Sequence, residues 1–243
     1  MPASRKQNYE TILLQSASGF CSKKVLTSSN KHHMKIIYQD ENVRVFDKPA
    51  GVNADDFEKR VHRLDKDTSG VLLIAKNDEA LEFFQKQFQE RKVEKKYLAL
   101  VVGNLKSREG EIKTLLGRSP GDRRKQKVYF MQEPGNRGKR TAITRYKLLQ
   151  RFENYDLIEV QPIGGRKHQI RAHFAHLGHP IAGDKLYGFK NQPKPTGLKR
   201  HFLHARYLKI ELPNGEITEF ESDLAKDLKE VLNNLKCKYQ RLK

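Results

Sequence analysis

The stretch RVHRLDKDTSGVLLIAKN, residues 60 to 77, constrains the fold more than any other part of the chain. Five consecutive apolar residues, Val71-Leu72-Leu73-Ile74-Ala75, follow the polar turn Thr68-Ser69-Gly70 and stop at Lys76. A run this short, bounded by turn residues and β-branched at Val71 and Ile74, predicts a buried strand. At its mouth sits one carboxylate, Asp65, among His62, Arg63 and Lys66. Opposite charge nearby favours the ionised form. An anion fixed there can serve as nucleophile, general base or metal ligand, and it can equally be an ordinary turn or cap residue.

The rest of the chain predicts more strands and a few helices. Ile36-Ile37-Tyr38 and Val43-Arg44-Val45-Phe46 flank the turn Asp40-Glu41-Asn42 and predict a hairpin. Ala80, Leu81, Phe84 and Phe88 recur at helical spacing over Asp78 to Arg91, with Asn77 or Asp78 as cap. Strands are expected at Lys96 to Gly103 and Asp156 to Gln161, and a helix at Arg166 to Leu177, ended by Gly178. Pro213-Asn214-Gly215 joins Leu203–Leu212 to Glu216–Phe220 as a hairpin. Leu224, Leu228, Val231, Leu232 and Leu235 share one face of a C-terminal helix. Together these predict an α+β fold, a mostly antiparallel mixed central sheet with flanking helices.

Charge narrows the partner. The 48 Lys+Arg against 29 Asp+Glu leave a formal net charge of +19 in 243 residues. Such an excess favours a polyanion through long-range attraction and counterion release. Nucleic acid leads, and an anionic membrane surface is second. The excess concentrates in residues 118–147, where ten Lys and Arg, including Arg123, Arg124, Lys125 and Lys127, face only Asp122 and Glu133. The turns SPGD and EPGN alternate there with strand-like pieces, so a hairpin with a basic surface is expected; an ordinary solvated face has the same composition. Cys21 and Cys237 form no CxxC pair, which suits a reducing, cytoplasmic setting. No apolar run approaches a membrane span.

The stretch GGRKHQIRAHFAHLGHPIAGDKLYG, residues 164 to 188, holds Arg166, His168, Arg171, His173, His176 and His179. His173 and His176 can share a helix face, but two ligands do not close a metal site and the spacing matches no familiar zinc pattern. Hydrogen-bonded, packed histidines are the expectation, with no metal.

His62 to Gly70, HRLDKDTSG, resembles the catalytic motif of RNA pseudouridine synthases of the RluA type. Four further elements resemble that family in order: Asp47-Lys48-Pro49-Ala50-Gly51; Lys95-Lys96-Tyr97-Leu98-Ala99-Leu100-Val101; Gly165 to Arg171 with Gly178 to Asp184; and His201-Phe202-Leu203-His204-Ala205. The resemblance implies isomerisation of uridine in rRNA or tRNA to pseudouridine, with no cofactor. It implies Asp65 as the essential aspartate, Arg166 as the basic residue paired with it, and Tyr97 as the ring that packs on the target base. It places Arg63 where it would fill the gap left by a flipped base. His62, Arg123, Arg124, Lys125, Lys127 and Arg171 are expected to contact RNA. Residues 1–33 read as a basic tail too short for an S4-type RNA-binding domain, and 34–243 as the catalytic domain, acting as a monomer. Two other readings of the sequence are a non-catalytic RNA-binding or ribosome-assembly module on the same fold, and a metal-dependent hydrolase built on the histidines.

Overall fold

The run after Gly70 does form a strand. In the computed structural model, which describes residues 34–133 and 135–240, β3 spans Ser69–Ala75 and its Val71, Leu72 and Leu73 are buried. The N-terminal tail expected over residues 1–33 lies outside the described residues.

β1 (Lys35–Gln39) and β2 (Val43–Lys48) make the predicted hairpin, and β2 continues antiparallel into β3. Helix α1 (Asp78–Gln89) follows, with the Asn77 side chain accepting from the Ala80 N–H at 2.8 Å. Then come β4 (Glu94–Val102), β5 (Glu109–Arg118), β6 (Gln126–Tyr129), β7 (Arg140–Arg151) and β8 (Tyr155–Ile163). Helix α2 (Gln169–His176), β9 (Leu203–Glu211), β10 (Ile217–Glu221) and helix α3 (Lys226–Gln240) complete the order. One sheet takes all ten strands in the order β1-β2-β3-β9-β4-β8-β7-β5-β6, with β10 also on β9. Every pairing is antiparallel except β3 with β9, where Ser69 meets His204 and Gly70 meets Ala205.

Two large cores cover this sheet. One gathers Leu100, Val101, Ile158, Phe174 and Phe202 with Leu228 and Val231 of α3. The other gathers Val43, Leu73, Phe84 of α1 and Leu208. Burial alternates along β7, which leaves one face to solvent, and is near-continuous along β3 and β4.

Three sequence expectations shift. The third-block helix begins at Gln169, not Arg166, because His168 takes a left-handed backbone (φ 54°, ψ 22°) that no helix propagates. The first helix ends at Gln89, and Arg91 turns left-handed at φ 61°. In the basic stretch the hairpin is β5–β6, closed over the SPGD turn, while β7 pairs with the other edge of β5. The strand-like pieces around Val128 and Ile143 therefore flank β5 instead of each other.

Candidate active site

The turn carrying Asp65 is pinned from below. The Lys48 ammonium is fully buried and donates to the carbonyls of Pro49 (2.9 Å), Val52 (2.9 Å) and Lys66 (3.0 Å). Burial, with the neighbouring Arg200 charge, pushes its pKa down to about 8. Arg200 donates to the Asp67 carbonyl (2.9 Å) and the Ser69 hydroxyl (3.0 Å) while pairing through two nitrogens with Asp227. Thr68 Oγ1 meets His201 Nε2 and Ser69 Oγ meets His204 Nδ1, each at 2.9 Å. Gly70 lets the strand start: at φ 112° it lies so close to β9 that a Cβ would stand 2.1 Å from the Ala205 carbonyl oxygen. The KPAG, HRLDKDTSG and RHFLHA stretches are thus one structural unit.

Above that platform opens a cleft of about 440 Å³, within the ~300–1,000 Å³ range of small-ligand sites. Asp65, Tyr97, Phe88, Ile170 and Leu203 line it, with Arg60, Arg63, Arg91, Lys95 and Arg166 around them. One carboxylate thus sits on a partly apolar floor inside a ring of cations. Asp65 Oδ2 accepts from Arg171 Nη1 at 2.9 Å, and Oδ1 lies 3.7 Å from His168 Nε2. The other edge of the Arg171 guanidinium holds Asp184 through Nε (2.7 Å) and Nη2 (2.9 Å). Burial works against the Arg171 charge, but Asp184 and Asp65 outweigh it and hold its pKa above the ordinary value.

The expected pairing of Arg166 with the aspartate is overturned. Arg166 does not pair with Asp65: its Nε donates to the Thr141 carbonyl at 3.3 Å, and burial together with Arg140 and Arg91 lowers its pKa. It precedes α2 on the β7 side, whereas the inward face of α2 carries Arg171 to the aspartate across 106 residues of chain. Arg171, expected among the RNA contacts, is only 7% exposed and bonded to two carboxylates. Arg171 is one of six successive buried residues of α2, Gln169 to Phe174.

Tyr97 stands in the cleft wall, and burial with the nearby Asp65 charge raises its pKa, so the hydroxyl keeps its proton. His62 accepts from the Leu73 N–H at 3.1 Å, stacks on Phe88 with ring centroids 5.0 Å apart, and is neutral because burial and then Lys95 push its pKa down to about 3. Arg63 is exposed at the cleft mouth, 3.8 Å from Asp55. On the hairpin, Arg124 is paired with Asp122 and Lys127 with Glu133, while Arg123 and Lys125 have no salt-bridge partner among the described residues. The histidines do not converge: His173 binds the hydroxyls of Thr114 (3.0 Å) and Thr144 (2.8 Å), His168 that of Tyr187 (3.0 Å), and His179 the Val102 carbonyl (2.9 Å). Among the described residues no three potential ligands stand together for a metal.

Residues 53–176 match the sequence model of the family described as RNA pseudouridylate synthase. The chain is 44% identical over 176 residues to an RNA pseudouridine synthase of Chloroflexus aurantiacus, covering 72% of this chain and 52% of that one. It is 36% identical to ribosomal large subunit pseudouridine synthase D of Haemophilus ducreyi, covering 75% of this chain and 57% of the relative. With ribosomal large subunit pseudouridine synthase C of Vibrio parahaemolyticus it shares 37% identity over 84% of its own length and 70% of the relative's. The chain thus spans little more than half of the first two relatives. A solved structure, human RNA pseudouridylate synthase domain containing 4, superposes with a TM-score of 0.67 at 26% identity, over 83% of this chain and 92% of that one. The chain belongs to the RNA pseudouridine synthase family.

Proposed function

We propose that this protein isomerises uridine in structured RNA, ribosomal or transfer RNA, to pseudouridine, acting in the cytoplasm as a monomer. The observation that carries the reading is a single carboxylate, Asp65, held by Arg171 at the floor of a cation-ringed cleft beside Tyr97.

The reaction breaks the bond between uracil N1 and the sugar C1′, turns the ring, and joins C5 to C1′. C5 gives up its hydrogen and N1 gains one, so the product is an isomer and nothing is oxidised or hydrolysed. An ionised Asp65 supplies the reactive oxygen, as nucleophile or as base at the sugar. Arg171 aims it, since a guanidinium bonded to two carboxylates cannot swing. Tyr97 offers the uracil a ring face, and its retained proton gives a hydrogen-bond donor. The base must leave its stack to reach Asp65, at a cost of about a few kcal/mol. Arg63, exposed at the cleft mouth, is our candidate to fill the space such a base vacates. Arg166, with the like charges of Arg91 and Arg140 beside it, and Arg123 and Lys125, which have no salt-bridge partner among the described residues, are suited to phosphates.

Total RNA from a strain lacking the gene, treated with the protein and then with a carbodiimide that marks pseudouridine, tests this. New reverse-transcription stops at defined uridines are expected. An unchanged stop pattern against RNA that the protein binds would instead favour the non-catalytic module.

A further inference from the structure

Asp65 has two oxygens, and the chemistry described so far uses a partner for one. Oδ2 is held by Arg171 at 2.9 Å; Oδ1 faces His168 Nε2 at 3.7 Å, beyond hydrogen-bond length. His168 is held in turn. Its Nδ1 lies 3.0 Å from the Tyr187 hydroxyl, and that hydroxyl accepts the backbone N–H of Gln126 at 2.6 Å. Gln126 is the first residue of β6, directly after the turn that carries Arg123 and Lys125. A hydrogen-bonded path therefore runs from the basic hairpin to His168, whose Nε2 faces the second oxygen of the aspartate.

The protons along this path are determined by its ends. A backbone N–H can only donate and a carboxylate can only accept, so the arrangement that satisfies both ends has the Tyr187 oxygen accepting from Gln126 and giving its own proton to His168 Nδ1. A neutral His168 then carries its hydrogen on Nε2, aimed at Asp65. Burial favours that neutral ring, lowering the His168 pKa to about 4, and raises that of Tyr187 to about 12, so both keep these states at neutral pH. The backbone at the centre of the path is in the left-handed region. His168 is one of three described non-glycine residues with positive φ, and its side chain caps nothing in α2. Strained residues held this way concentrate at functional sites. Tyr187 is fixed by the same group that fixes Arg171: Asp184 Oδ1 accepts from the N–H groups of Leu186 (2.9 Å) and Tyr187 (3.0 Å), and the Tyr187 ring lies under the Arg171 guanidinium at 5.2 Å.

We propose that His168 and Tyr187 are positioning residues that hold the Oδ1 side of Asp65 and tie it to hairpin β5–β6, the 3.7 Å gap closing to a hydrogen bond when RNA fills the cleft. The proposal rests on the isomerase reading for its kinetic part. Catalytic hydrogen bonds are often long before substrate arrives and tighten in the complex.

Two variants isolate the path. Tyr187→Phe keeps the ring under Arg171 and removes only the hydroxyl. His168→Asn keeps a residue that tolerates the left-handed backbone but cannot reach Asp65. For uridine isomerisation in RNA, each is expected to lower kcat about tenfold with KM within about twofold, and the double variant to lose no more than about tenfold in total, since members of one path are not additive. Unchanged kcat in either variant, or losses that multiply to about a hundredfold, overturns the proposal. A second measurement needs no activity. Long-range 15N–1H correlation on the full chain at pH 7.5 should show His168 neutral with the proton on Nε2, and a mixed tautomer in Tyr187→Phe. A proton on Nδ1, or a tautomer indifferent to Tyr187→Phe, also overturns it. If wild type isomerises no uridine, the isomerase reading fails while the tautomer result still decides the path.

Discussion

At the scale of single residues the site turns on which arginine serves the aspartate. Arg171 bonds two carboxylates from one guanidinium, and a lysine ammonium cannot reproduce that fork. Arg171→Lys is therefore expected to cut kcat about a hundredfold, the scale of a misplaced reactive group. Arg166→Lys, which keeps the charge next to Arg140 and Arg91, should leave kcat within about threefold. Steady-state kinetics of the two variants side by side check this; the reverse ranking would restore Arg166 as the partner. Sequence could not separate the two arginines because both lie in GRKHQIR, five positions apart, and only the packed face of α2 chooses between them. Asp65 and Tyr97 were legible as residues of one cleft because each lies in a local motif. His168 and Tyr187 were not, since their relation crosses from α2 to a later loop and a hairpin tip.

At the scale of elements, the strands and hairpins followed from apolar runs and turn residues, and Asn214-Gly215 closed β9–β10 as read. The parallel contact of β3 with β9 had no sequence signal, because it joins two residue pairs some 135 positions apart. It is what seats the Asp65 turn, so Gly70→Ala is expected to destabilise strongly. The added Cβ meets the Ala205 backbone and φ 112° is unfavourable, together costing about 3 kcal/mol or more. Chemical denaturation should show the midpoint fall; a wild-type midpoint would mean β3 and β9 are not in register here. The hairpin β5–β6 predicts a different outcome. Removing Arg123, Arg124 and Lys125 together should make the log–log salt dependence of RNA binding shallower by about two, not three, since Arg124 is already neutralised by Asp122. Filter binding across salt concentrations checks it, and an unchanged slope removes this hairpin from the interface.

At the scale of the whole molecule, the net charge of +19 favours a polyanionic partner, while burial favours the uncharged form of the interior histidines. Burial lowers the pKa of His62 to about 3 and of His168, His173 and His201 to about 4, from 6.5. Each of these groups binds a proton in the unfolded chain before it does so in the folded one. Stability is therefore full above pH 6.5 and falls as pH drops from 6.5 through 4, with several protons taken up on unfolding. Melting curves across that range should steepen their decline accordingly, and His173→Gln should flatten it by about one proton. The central claim is that Asp65 converts uridine. Its most direct measurement is tritium release from RNA labelled at uridine C5, with wild type, Asp65→Asn and Asp65→Ala matched for RNA binding. Release by wild type alone is the predicted result. Release undiminished in both variants would show that the carboxylate beside Arg171 is not the reacting group.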